Sequence, residues 1–263
     1  MSIGTGIELA TTFSGSGQIA GSPLAEQIAA LPNLFFWGQP EAGYITDNGS
    51  VIQTFADRKG SARTFTQGTS GDRAALVTDT INGKSMSLAR FVAGSPSDRY
   101  AMTDDFITSA SYSLAMVFEP AVGGNNTGNL HGLLGRFTNG TTRDMLAIDQ
   151  AGRVYFYRGS NNQFVTLRPG ERMAVIAAFN SGDSLVKLWA DGVRVADQAA
   201  AGSATATADS ILLGSSTAGG GNDTVGFTGD LFDLMMFEGE DVFATGNDAL
   251  LKKYFATVYG TAE

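Results

Sequence analysis

The sequence predicts an all-β protein built as a sandwich of two antiparallel sheets. Short runs of alternating or continuous apolar residues recur along the chain, as expected for strands packed on one or both faces. Dipeptides that favour tight hairpin turns separate many of these runs: Asn48-Gly49, Asn82-Gly83, Asn139-Gly140 and Asp191-Gly192. With 263 residues, the chain is long enough to bury a large core as a single domain.

Composition narrows the classes of function. A net charge of −9 and a pI of about 4.6 argue against nucleic acid or an anionic membrane as the main partner. The chain has no cysteine, which excludes disulfides and cysteine-based metal sites. Its single histidine, His131, is expected to be a structural residue at a strand edge. No run of about 18 apolar residues suggests a membrane span, and no secretion signal is recognised, so we expect synthesis in the cytoplasm.

Residues 1–21 are rich in Gly, Ser and Thr, with only isolated apolar residues, and are therefore expected to add little to a core. They are consistent with a disordered tail or with an arm that orders on a partner. A short helix is expected next, with Ser22 as its cap and Pro23 at its first position. We therefore divide the chain into a docking segment, 1–30, and one β domain, 31–263.

The strands of this domain follow from the pattern of apolar residues. The clearest runs are SVIQTFAD, ARTFTQ, YSLAMVF, RVYFY, RMAVIAAF, SLVKLWADGVRVA and DSILLGS. In the third, Tyr112, Leu114, Met116 and Phe118 face one way and small residues the other, which predicts a strand inside a sandwich. We expect Trp189 to be a core residue, with partial exposure as the alternative because Leu185 and Lys187 share its face.

The stretch FTGDLFDLMMF, residues 227–237, is apolar on both faces and predicts a strand that is buried on both. Asp233 lies inside it, and a buried carboxylate must be hydrogen-bonded or paired. Asp230 lies three positions earlier, so strict alternation places the two acids on opposite faces. They then could not flank one glycosidic bond, and we expect both to be structural.

Residues 244–260 predict a closing helix. Asn247 is a suitable cap, and Gly260 ends the helical pattern. Leu250, Tyr254 and Val258 are expected to form its apolar stripe.

Three motifs occur in order along the chain: FADRKG at 55–60, WADG at 189–192 and GDLFDL at 229–234. Together they resemble the concanavalin A-like lectin/glucanase superfamily, in particular the laminin-G-type jelly rolls of bacterial and phage surface proteins. The resemblance covers roughly residues 30–260 and implies a jelly-roll sandwich. The chain departs from the glucanases by lacking their E-x-D-x-E strand, because Glu238, Glu240 and Asp241 follow the strand where the chain turns. We therefore expect no enzymatic activity and assign no catalytic residues.

A sugar-binding surface usually combines an exposed aromatic ring with planar polar groups. Tyr155 and Tyr157 share a strand face with Arg153, and Asn161 and Asn162 follow at the strand's end. These five residues are the predicted glycan-binding residues. The alternative is that this face packs on the second layer, the arm or a neighbouring subunit.

The resemblance also raises the question of calcium, since members of the superfamily often hold one ion. The loops at 123–129 and 219–227 offer side-chain oxygens from Asn125, Asn126, Asn222 and Asp223. Few of these groups are carboxylates, which favours a turn-forming role. We therefore assign no metal site and no cofactor, with calcium as the open alternative.

These inferences predict a non-enzymatic phage virion accessory protein, such as a head fibre, capsid decoration or tail-associated adhesin. Its lectin-like domain would bind host surface polysaccharide, and its arm would contact other virion proteins, in a homo-oligomer located in the virion. The alternatives are a bacterial carbohydrate-binding module and a polysaccharide-cleaving enzyme with an unrecognised site.

Overall fold

The computed structural model describes residues 23–92, 98–102, 110–124, 130–139, 142–149, 151–166, 170–200, 210–215 and 226–263. These residues form two antiparallel sheets, which confirms the predicted all-β sandwich. The arm, the predicted cap Ser22 and the loop residues considered for calcium lie outside the described residues. No helix in the described ranges is long and apolar enough to cross a membrane.

The described elements follow one another along the chain. They are α1 (Pro23–Ala29), β1 (Leu34–Gly38), β2 (Ile45–Asp47), β3 (Ile52–Ala56), β4 (Thr64–Thr66), a 3-10 turn (Ser70–Asp72), β5 (Ala75–Ile81), β6 (Lys84–Phe91), β7 (Tyr100–Met102), β8 (Tyr112–Pro120), β9 (His131–Asn139), β10 (Thr142–Ile148), β11 (Arg153–Arg158), β12 (Asn161–Thr166), β13 (Met173–Asn180), β14 (Leu185–Ala190), β15 (Val193–Arg194), β16 (Gln198–Ala199), β17 (Ile211–Leu213), β18 (Gly229–Glu238), α2 (Val242–Thr245) and α3 (Asn247–Tyr259).

The strands divide into sheet A and sheet B. Sheet A has the order β15-β14-β13-β8-β18-β6-β5, with β1 also paired to β18 and β16 to β14. Sheet B has the order β12-β11-β10-β9-β17-β7-β4-β3-β2. An interior strand of sheet A, β18, thus comes late in the chain and is inserted between strands that precede it.

The main core lies between the two sheets. Tyr112, Leu114, Met116 and Phe118 of β8 face it, as the alternation predicts. Phe156 of β11 packs edge-on against Tyr112, which joins the two sheets at one end of the sandwich.

A second apolar cluster covers the outer face of sheet A. Helices α1 and α3 pack there, on the small and apolar residues that β8, β13 and β18 turn away from the main core. Trp189 belongs to this cluster and is only 2% exposed. The prediction of Trp189 as a core residue is thus confirmed. The alternative of partial exposure does not hold, because Lys187 turns its ammonium to the buried Asp241 carboxylate, 2.6 Å away, and does not open the face to solvent.

The two acids of β18 lie on the same face, contrary to the sequence prediction. The pairing of β18 with β8 shifts register between Leu231 and Asp233, which marks a β-bulge at Phe232. The extra residue reverses the alternation, so Asp230 and Asp233 both point to the outer side of sheet A. They have separate partners: Asp230 accepts two hydrogen bonds from Arg90, whereas Asp233 is fully buried.

The closing helix is confirmed, with changes at its start and on its buried face. Gly246, rather than Asn247, occupies the N-cap position. The buried residues are Leu251, Tyr254, Phe255 and Tyr259, so the apolar stripe is displaced by one position from Leu250 and Val258. The short helix α2 precedes it, with the Asp241 carboxylate accepting hydrogen bonds from two of its backbone N–H groups.

Candidate functional site

The outer face of sheet B carries a separate cluster of side chains, which we call the tyrosine face. Tyr155 and Tyr157 of β11 lie on it beside Met145 and Ala147 of β10. The alternate residues Val154 and Phe156 point into the main core. The period of two in β11 therefore produces one buried and one outward row, as the sequence predicts.

The two tyrosine rings are stacked, with centroids 5.3 Å apart and planes 21° from parallel. The Arg143 guanidinium lies over Tyr157, 3.7 Å from the ring centroid. This cover leaves Tyr155 only 7% and Tyr157 only 6% exposed. The rings therefore support charged groups above them and do not themselves form an open platform.

At the other end of the row, Arg153 and Tyr155 share one carboxylate. Asp149 Oδ2 accepts hydrogen bonds from Arg153 Nε at 2.8 Å and from the Tyr155 hydroxyl at 3.0 Å. Burial acts to raise the pKa of Asp149, but these hydrogen bonds outweigh it and hold the pKa below its usual value. Burial, followed by the contact with Asp149, raises the pKa of Tyr155 to about 12. At neutral pH, the group is thus an ion pair beside a neutral tyrosine.

The neighbouring strand β12 adds an exposed ring that the sequence analysis did not select. Phe164 pairs with Tyr155 across the strands and is 46% exposed, with the Arg153 guanidinium 5.2 Å from its centroid. Asn162 pairs with Tyr157 and lies on the same face. Alternation counted along NNQFVT would have placed Asn162 and Phe164 together, because they are two residues apart.

Of the five predicted residues, the structure brings four together: Arg153, Tyr155, Tyr157 and Asn162. Asn161 is opposite Arg158 in the register, on the inner side of the strand, and its amide donates to the Ala199 carbonyl. It connects β12 to β16 and lies away from the tyrosine face. Arg143 was not among the predicted residues. It belongs to β10 and stacks across the strands on Tyr157 of β11.

A second polar cluster surrounds Asp233, and we call it the Asp233 hub. Trp37 Nε1 donates to Asp233 Oδ1 at 2.8 Å, and Gln39 Nε2 donates to Oδ2 at 2.7 Å. The hydroxyls of Tyr254 and Tyr259 lie 3.0 and 2.8 Å from the same Oδ2. The hub therefore ties β1, β18 and α3 to one carboxylate.

Burial raises the pKa of Asp233 to about 6, against the opposing effect of its hydrogen-bond donors. Asp233, Tyr254 and Tyr259 are each no more than 1% exposed. The carboxylate is therefore closed to a substrate in this structure. This placement agrees with the structural role expected for Asp233.

A cavity of about 480 Å³ opens beside the hub, between the start of β1 and the turn after β3. Two of its charged side chains, Asp57 and Lys59, contact the backbone around it. Asp57 Oδ1 accepts from the backbone N–H groups of Trp37 and Lys59, and Lys59 Nζ donates to one carbonyl before β1 and to that of its first residue. These contacts hold the turn against β1, so we place the candidate site on the tyrosine face.

His131 is the first residue of β9 and is fully buried. Its Nδ1 lies 3.0 Å from the Gly226 carbonyl oxygen. Burial lowers its pKa, so the ring is neutral near neutral pH. This environment fits the structural role expected for it.

Comparison with known proteins was made at the level of sequence and of structure. No family model matches the chain, and no curated protein matches its sequence significantly. Among solved structures, the chain is similar to a botulinum neurotoxin serotype D binding domain, with a TM-score of 0.55 and 11% identity over 83% of this chain and 51% of that chain.

Two further similar structures are enzymes. A GH54 α-L-arabinofuranosidase has a TM-score of 0.56 and 11% identity over 76% of this chain and 50% of that chain. A Trypanosoma rangeli sialidase has a TM-score of 0.54 and 10% identity over 87% of this chain and 33% of that chain. The chain spans about half the length of the first two and a third of the last. At these identities the likeness is one of fold, and it identifies the chain as a β-sandwich of this general kind.

Proposed function

We propose that this protein is a lectin-like, non-enzymatic β-sandwich that binds saccharides on its tyrosine face. The observation that carries the proposal is the exposed Phe164 ring, which stands beside polar side chains on a rigid strand face. Arg153 lies next to it and offers N–H donors for hydroxyl groups. An apolar ring with fixed polar neighbours is suited to a sugar, which has both apolar and hydroxyl-bearing surfaces.

The similar structures support the same proposal. The arabinofuranosidase and the sialidase are named for action on sugars, and both contain a sandwich with the fold seen here. The proposal of a binding role rather than an enzymatic one rests on the environment of the acids. Asp149 is held by Arg153, Asp230 is held by Arg90, and Asp233 is enclosed by the hub. A glycosidase requires two carboxyl groups that flank one accessible bond.

A glycan array, followed by calorimetry on the best ligand, tests the proposal. Phe164→Ala should weaken saccharide binding by about fivefold or more, because stacking on an exposed ring contributes about 1 kcal/mol or more. Val193→Ala is a matched control, since Val193 is an exposed apolar residue, 54% exposed, on sheet A. Equal loss in both variants, or no binding by the wild type, would contradict the proposal.

We further propose that the domain serves in a phage virion as an accessory protein, with residues 1–21 contacting other virion proteins. The support is the resemblance of the sequence to jelly rolls of phage and bacterial surface proteins, and the Gly-, Ser- and Thr-rich composition of residues 1–21. Mass spectrometry of purified particles should find the protein at a fixed stoichiometry. A protein found only in the unassembled fraction would refute this part of the proposal and leave saccharide binding standing.

A further inference from the structure

Arg143 is a half-buried cation that forms no ion pair with the residues that the structure describes. Its Nε donates to the Gly159 carbonyl at 3.1 Å, and its guanidinium lies over the Tyr157 ring. Within the described ranges, no carboxylate lies at salt-bridge distance from it. Burial lowers the pKa of Arg143, and the only opposing influence is Tyr157, which is neutral at physiological pH.

Two other arginines of sheet B are neutralised. Arg153 is paired with Asp149, and Arg158 forms a buried ion pair with Asp144. A partly desolvated cation costs free energy unless a counter-charge offsets it. Arg143 therefore leaves the tyrosine face with one positive charge beyond those that its own acids balance.

We propose that the tyrosine face selects an acidic saccharide, whose carboxylate or sulfate group binds the Arg143 guanidinium. The inference rests on the proposed saccharide-binding function and names the class of sugar. Because Nε is already used, the two terminal nitrogens remain to donate to an anionic group, and stacking on Tyr157 fixes their plane. The chain as a whole carries a net charge of −9, so selectivity for an acid requires such a local cation.

The geometry assigns separate parts of the sugar to separate groups. Arg143 and Phe164 lie at opposite ends of the tyrosine row, over Tyr157 and beside Tyr155 respectively. The acidic group would lie over the Tyr157 end, while an apolar ring face would contact Phe164. The Arg153 guanidinium, beside Phe164, would then donate to hydroxyls of the sugar.

The test compares three polymers by affinity electrophoresis and calorimetry: polygalacturonate, dextran sulfate and neutral dextran. The wild type should bind at least one acidic polymer about tenfold more tightly than dextran, and added salt should reduce this preference. Arg143→Gln should lose about tenfold in affinity for the acidic polymer and less than twofold for dextran. Arg143→Lys should lie between them, because it keeps the charge but not the planar fork.

Arg90→Gln is the matched control for charge. Arg90 lies on sheet A, with its side chain 51% exposed, and its removal changes the net charge by the same amount. It should change binding less than twofold, and the thermal midpoint of each variant checks that it is folded. Polygalacturonate and dextran sulfate separate the carboxylate from the sulfate as the recognised group.

The outcomes distinguish the two proposals. The acidic preference would be overturned if the wild type bound all three polymers equally well and Arg143→Gln bound them with the same affinity. Saccharide binding itself would then still stand. Binding that survives Phe164→Ala at full strength, or no binding to any polymer, would overturn saccharide binding on this face and the acidic preference with it.

Discussion

The outer face of sheet A is covered by α1 and α3, whereas in the described residues the outer face of sheet B is covered by its own side chains. Both faces bring charge against aromatic rings. On sheet A, the Asp233 carboxylate is enclosed by four donor groups and is inaccessible. On sheet B, the Arg143 guanidinium rests on Tyr157 with two nitrogens still able to donate. The Asp233 carboxylate has its hydrogen bonds completed within the protein and stabilises the fold. The Arg143 guanidinium has donors left over, which are available to a ligand.

Removal of the hub carboxylate is expected to have the largest effect. Asp233→Ala leaves the indole, amide and hydroxyl donors without their acceptor and should lower the free energy of unfolding by roughly 3–5 kcal/mol. Asp233→Asn should cost less, because it keeps one acceptor. Denaturant unfolding monitored by tryptophan fluorescence measures both.

Asp230→Ala is the matched control on the same strand and the same face. Its partner Arg90 is exposed, so the loss should be below about 1 kcal/mol. A loss as large as that of Asp233→Ala would show that the hub is not a special site of stability.

The pH dependence of stability should come next in size. The pKa of Asp233 is about 6 in the folded protein and about 3.9 when unfolded, so the folded state binds the proton more tightly. Its contribution to stability is full below about pH 4 and is lost as the pH rises through 6, a total of about 3 kcal/mol. Between pH 7.5 and 5 the wild type should therefore gain stability relative to Asp233→Asn. A wild type and variant with parallel pH profiles would refute a raised pKa at Asp233.

A single donor of the hub should have a smaller effect. Tyr259→Phe removes one hydroxyl from Asp233 and should cost about 1.5 kcal/mol. It should also raise the pH at which stability is lost, because that hydroxyl lowers the pKa of Asp233. Tyr44→Phe, outside the hub, should change neither the stability nor the pH midpoint.

The smallest effect on stability is expected at the exposed Phe164 on the outer face of sheet B. Phe164→Ala should cost less than about 1 kcal/mol, since nearly half of the side chain is already exposed. Phe156→Ala, on the adjacent strand but inside the core, should cost roughly 3–5 kcal/mol. The thermal unfolding midpoints of the two variants distinguish the core ring, Phe156, from the surface ring, Phe164.

Most of the fold could be predicted from local patterns. Alternation identified the two rows of β8 and β11, and the Gly-containing turns separated the strands. The bulge at Phe232 could not be predicted, because one extra residue in a continuously apolar run leaves no signal in the pattern. The extra residue breaks the alternation, so side chains before the bulge point to the face opposite to the one that counting back from Asp233 predicts. For this reason the predicted face of Asp230 was wrong.

The candidate site was predictable only within one strand. Tyr155, Tyr157 and Arg153 follow from the period of β11. Arg143 and Phe164 reach the same face from β10 and β12, and their positions depend on the register between strands. Register is set by non-local pairing, so a single strand's sequence does not reveal it.

The position of β18 in the interior of sheet A has a consequence for how the chain folds. Its neighbours β8, β6 and β1 all precede it by more than 100 residues of sequence. Until residues 229–238 are in place, these neighbours present unpaired backbone edges that can join with other chains. High contact order of this kind makes folding slow. Insertion of β18 is therefore the step at which nascent chains are most exposed to aggregation, and chaperone binding before that step would protect them.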